Sequence, residues 1–143
     1  MKQLNLNKNQ LYNYFKNQPV ELAYLFGSQT SGKVKPLSDI DLAVLFKEDF
    51  TDQERFTFKI KILGDLSEIL KTDKIDLVDL KKAPPFLQFE AIRKRKEIFV
   101  RDENIRIGFE TKVLFDFFDR QYFVNRHIRM GISDLKKEYA IAN

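Results

Sequence analysis

Residues 25–46 read LFGSQTSGKVKPLSDIDLAVLF, and this stretch decides the fold. It closes one apolar run, VELAYLF (residues 20–26), with a Gly27-Ser28 break. A polar loop containing Gly32 and Pro36 follows, and a second apolar run opens on Asp39-Ile40-Asp41. Short, aromatic and β-branched runs bounded by glycine and proline read as buried strands. Along a strand, side chains alternate between faces. Asp39 and Asp41 therefore share one face, while Ile40 and Leu42 pack on the other.

Working outward, residues 7–17 carry Leu11, Tyr14 and Phe15 at helical spacing, and Pro19 ends the pattern. Residues 51–71 read as a long amphipathic helix with Phe58, Ile62, Leu66, Ile69 and Leu70 inward. A third strand is expected over residues 75–80, and Pro84-Pro85 opens another helix, proline being suited to a first turn. A last strand is expected over residues 97–100, and from Glu103 onward the pattern is helical with a break expected at Gly131. Strands interleaved with helices predict a mixed α/β (α+β) domain. One domain over 1–143 is expected, with a core at about 20–100 and a helical part at about 102–140.

Composition narrows the chemistry. Of 143 residues, 43% are hydrophobic and 32% charged, which is globular composition. There is no cysteine and one histidine, His127, so a disulfide scaffold, a Cys-ligated zinc site and a thiol nucleophile are excluded. The chemistry must come from carboxylates, hydroxyls, lysines or a carboxylate-bound metal. The net charge of +4 permits nucleic acid without indicating it. The start Met1-Lys2-Gln3-Leu4-Asn5 is polar and no apolar run reaches spanning length, so a cytoplasmic protein is expected.

Two like charges held side by side on a strand repel, and a divalent cation between them offsets that cost. Hard oxygen ligands suit Mg²⁺, which commonly combines a few carboxylates with substrate phosphates. Asp76, at the start of IDLVDL, is the natural third acid if its strand lies beside that of Asp41. Asp79 is three residues on and falls on the opposite face. At Gly27-Ser28 the glycine lets a backbone approach phosphate closely, and the amides and hydroxyl can bind its oxygens. Asp-x-Asp at a strand start also serves as an ordinary turn or Asx cap, so the pair alone does not decide the function.

The combination is more specific than its parts. Gly27-Ser28, ten intervening residues, and Asp39-Ile40-Asp41 resemble the signature of the DNA polymerase β-type nucleotidyltransferase superfamily. The flanks LFGSQTSG and SDIDLAVL resemble its minimal nucleotidyltransferase (MNT) branch, whose members pair with HEPN-domain toxins in toxin–antitoxin modules. The resemblance implies a small mixed sheet with helices on one side. It implies that Gly27 and Ser28 hold the β/γ-phosphates of ATP, and that Asp39 and Asp41 bind Mg²⁺. It further implies that Asp76 completes the catalytic metal site and helps deprotonate the acceptor hydroxyl. The expected activity is AMP transfer from ATP to a tyrosine of a HEPN toxin, with the protein acting as its antitoxin. The rivals are a small-molecule transferase modifying an antibiotic hydroxyl, which usually needs a further domain, and a non-catalytic antitoxin that silences by binding.

Three other features carry weaker signals. The basic run Arg93-Lys94-Arg95-Lys96 is expected to be a solvated helix end, with contact to triphosphate or an acidic partner as the alternative. Residues 113–118, VLFDFF, are apolar almost all round a helix, which favours a partner surface over core. Arg120 and His127 happen to match the spacing of a HEPN ribonuclease motif. That motif needs a helical bundle, which the β-rich first hundred residues disallow.

Overall fold

The computed structural model describes residues 7–27 and 40–142. Four helices and four strands lie along these residues: α1 (Lys8–Lys16), β1 (Val20–Phe26), β2 (Ile40–Phe46), α2 (Asp52–Leu70), β3 (Ile75–Asp79), α3 (Pro85–Arg93), β4 (Lys96–Val100) and α4 (Glu103–Ala142). The strands form one mixed sheet in the order β3-β2-β1-β4. β1 runs antiparallel to both β2 and β4, whereas β2 and β3 are parallel with α2 as their crossover.

Local chemistry sets the boundaries. Asn7 caps α1 by accepting from the Gln10 amide. Thr51 and Glu54 form a reciprocal capping box at the start of α2, and Lys71 ends it in the left-handed conformation. Pro85 begins α3. Arg101 fastens the α1–β1 connection: its guanidinium donates to the carbonyls of Lys16, Gln18 and Val20 at 3.0–3.1 Å.

The sheet is covered on both faces, not on one. Ile40, Leu42, Val44 and Leu77 pack with Leu11 and Phe15 of α1 and Ile62 and Leu66 of α2. Tyr24, Phe26 and Ala43 pack on the opposite face with Ala91 and Ile92 of α3 and Val113 of α4. A register shift between Val20 and Leu22 is what lets these two residues enter different clusters despite their spacing of two. Truncating a fully buried residue such as Leu66 costs about 2–5 kcal/mol.

α4 also departs from expectation, because it passes through Gly131 unbroken. The apolar stretch at 113–118 divides. Val113 is buried, and the Phe117 ring stacks on Phe89 of α3 at 3.9 Å, whereas Phe115 and Phe118 are exposed. No helix among the described residues is long and apolar enough to cross a membrane.

Candidate active site at the end of the parallel strand pair

Asp41 and Asp76 are register partners across the parallel β2–β3 pair. Neighbouring strands lie about 4.8 Å apart, so the fold sets the two carboxylates side by side. Both point to the face that carries Ala43 and Val78. Asp41 is half-buried and Asp76 exposed. Ile40 and Leu42 fill the opposite face, as the alternation requires.

Asp41 also pairs in register with Phe26 on β1, which brings it against Gly27. Gly27 has φ +81°, a conformation that L side chains rarely adopt. A Cβ placed there would lie 3.1 Å from Asp41 Cγ and closer still to its carboxylate oxygen. Glycine is therefore required twice, by its backbone and by the space that the Asp41 carboxylate occupies. Ser28 and Asp39 lie outside the described residues. Among the described residues no group of three acidic or histidine side chains converges. The donor set that is present, two hard carboxylates on one face beside Gly27, fits a divalent cation such as Mg²⁺.

Two buried polar clusters escaped the sequence reading. Arg55 is buried and binds Asp79 Oδ2 at 2.9 Å and the Phe50 carbonyl at 2.8 Å, with Asp52 as a further partner. The hydrogen bond to Asp79 holds its guanidinium above the usual arginine range. On the other face, the Tyr24 hydroxyl donates to Glu110 Oε1 at 2.6 Å, and Arg95 and Arg106 flank the same carboxylate at 3.2 and 3.0 Å. Burial, then the Glu110 bond, pushes the Tyr24 hydroxyl well above the usual phenol range. Both clusters left a trace in the sequence. Arg55 shares a helix face with Ile62 and Leu66, and Glu110 shares one with Val113 and Phe117; a charge on an apolar stripe needs a buried partner.

The basic run is largely neutralised within the chain. Arg93 and Lys94 both meet Glu90, at 3.1 and 3.4 Å, and Arg95 lies over the Tyr24 ring as well as against Glu110. Lys96 sits beside Lys8, and its charge holds the Lys8 ammonium below the usual lysine range. Arg120 and His127 are exposed on α4, where His127 packs edge-on against Phe123.

Known proteins resemble this chain in sequence and fold. A family model described as "Polymerase beta, Nucleotidyltransferase" matches residues 9–104. The protein adenylyltransferase MntA of Shewanella oneidensis is 31% identical over 96 residues, spanning 66% of each chain. A chain from a crystal structure of a toxin–antitoxin with AMP-PNP superposes with TM-score 0.64 at 25% identity, covering 86% of this chain and 99% of that one. A chain of the tri-AMPylated Shewanella oneidensis HEPN toxin in complex with MNT antitoxin matches with TM-score 0.59, covering 87% and 98%; at 23% identity it bears on the fold alone.

Proposed function

Because the chain belongs to the polymerase β-type nucleotidyltransferase family, we propose that it is an antitoxin that transfers AMP from ATP to a tyrosine of a HEPN-domain toxin. The observation that carries this reading is the register of Asp41 with Asp76 beside Gly27, two like charges kept together where a nucleotide's phosphates can approach backbone. The adenylyltransferase activity named for the 31%-identical relative, and the AMP-PNP named for the toxin–antitoxin structure, support AMP transfer to a protein partner. We assign the catalysis to a single domain over 1–143, with its core at about 20–100 and the helical part at about 102–140 contributing acceptor specificity. The protein acts in the cytoplasm.

In this reading Gly27 and Ser28 bind the β/γ-phosphates through the turn amides and the Ser28 hydroxyl. Asp39, Asp41 and Asp76 would hold Mg²⁺, which when bound would offset the charge of the phosphates. Asp76 accepts the proton of the tyrosine hydroxyl as its oxygen attacks the α-phosphorus. The new O–P bond forms as the bond to the bridging oxygen breaks, and pyrophosphate leaves. Asp41, fixed between the glycine turn and Asp76, keeps the triphosphate in line with the acceptor.

Incubating purified protein and HEPN partner with α-labelled ATP tests this. Label is expected on the partner with Mg²⁺ and ATP, and none with EDTA. A partner that is silenced without acquiring label points to occlusion and overturns the proposal.

A further inference from the structure

The sheet order β3-β2-β1 sets the candidate site out in a row, with Asp76 first, Asp41 next and Gly27 at the end of β1. Neighbouring strands lie about 4.8 Å apart, so two spacings, about 10 Å, separate Asp76 from the glycine turn assigned to phosphate. With the triphosphate on the β1 side, the acceptor hydroxyl comes in on the β3 side.

Lys74 lies on that side. Its backbone is part of the ladder: its carbonyl accepts from the Ile40 amide at 2.8 Å, and its own amide donates to Thr72 Oγ1 at 3.1 Å. Alternation therefore carries the face of Asp76 two residues back to Lys74, about 7 Å along the strand and toward the end of the sheet where Gly27 follows β1. Lys74 is exposed and makes no ion pair among the described residues. The basic run at the opposite edge of the sheet is engaged elsewhere. Arg93 and Lys94 meet Glu90, Arg95 meets Glu110, and Lys96 pairs in register with Leu25, whose side chain belongs to the other face.

Attack by a phenol builds negative charge on an oxygen that lies against the Asp76 carboxylate. A fixed cation aimed at that oxygen lowers the barrier, because it acts where the charge develops. A lysine ammonium on its four-carbon stem is such a point charge.

We propose that Lys74 is a catalytic residue of the acceptor side, whose ammonium contacts the tyrosine oxygen and stabilises the phenolate formed as Asp76 takes its proton. That oxygen bonds to the α-phosphorus as the bond to the bridging oxygen breaks, pyrophosphate leaves, and Lys74 stays protonated throughout. The inference rests on the AMP transfer assigned under the proposed function. It adds the group that favours a phenol, which ionises readily, over an aliphatic alcohol.

Steady-state transfer of α-labelled AMP to the HEPN partner by the full chain tests it. Lys74→Gln should lower kcat about 10- to 100-fold, at or below the low end of what removing a buried oxyanion donor costs, since Lys74 is exposed. The KM for ATP and the unfolding midpoint should stay at wild-type values, and Lys74→Arg should retain most of the activity. Placing a ring-fluorinated, more acidic tyrosine at the modified position of the partner should narrow the gap between wild type and Lys74→Gln. A wild-type kcat in Lys74→Gln overturns the proposal, as does a gap that fluorination leaves unchanged or a defect that Lys74→Arg shares in full. A raised KM for ATP at unchanged kcat also overturns it and moves Lys74 to the triphosphate. No transfer by the wild-type chain overturns it together with the proposed function.

Discussion

Asp79 and Asp76 lie three residues apart on β3, and the fold treats them oppositely. Asp79 turns toward α2 and receives the buried Arg55 at 2.9 Å. Asp76 turns to the other face, stays exposed, and has the like-charged Asp41 as its register partner. A carboxylate that serves the fold is matched by a cation of the same chain. A carboxylate placed against another carboxylate weakens the apo protein, and so marks a position held for a ligand.

Breaking the Asp79 side of this comparison should have the largest effect. Arg55→Leu strands the part-buried Asp79 carboxylate and is expected to lower stability by about 3 kcal/mol in urea unfolding, while Arg55→Leu/Asp79→Leu recovers much of it. Activity per folded molecule should change little. On the Asp76 side the pattern inverts. Asp41→Asn should lower AMP transfer more than about 100-fold, beyond what losing an outer-shell partner of a metal site costs, with the unfolding midpoint unchanged or raised. Gly27→Ala sharpens the point: its φ of +81° adds roughly 1–2 kcal/mol of strain, and its methyl displaces the Asp41 carboxylate. It should therefore impair transfer more than its modest loss of stability suggests, as paired kinetics and unfolding would reveal.

The smallest effect concerns Tyr24, another buried group matched within the chain. Its hydroxyl is raised in the fold, whereas in the unfolded chain it titrates near about pH 10. Its contribution to stability is full below that pH and is lost as pH rises toward the folded value. Tyr24→Phe should cost about 1 kcal/mol at neutral pH and make the alkaline loss shallower. Tyr14, raised by burial and by Asp65, should leave part of that loss in place.

Much of this was legible in the residues. The run at 20–26, the second run after the glycine break, and the helix at 51–71 lie where periodicity and capping chemistry put them. The parity of Asp76 and Asp79 already placed them on opposite faces. Helices on both faces were foreshadowed by two strands apolar at nearly every position, a pattern of strands buried on both sides; the family resemblance pointed to one. The expected break at Gly131 failed because one exposed glycine costs a helix only about 1 kcal/mol relative to alanine. The pairing of Arg55 with Asp79 and of Glu110 with Tyr24 was not legible, because these partners lie 24 and 86 residues away. Ser28 and Asp39 are assigned from the sequence pattern and the family resemblance.

Intact-mass spectrometry of the HEPN partner, co-expressed with the wild-type chain or with Asp39→Ala/Asp41→Ala, tests the central claim most directly. The account predicts one or more AMP-sized increments on a partner tyrosine with the wild type and none with the variant. A partner that is silenced and unmodified in both samples would contradict it.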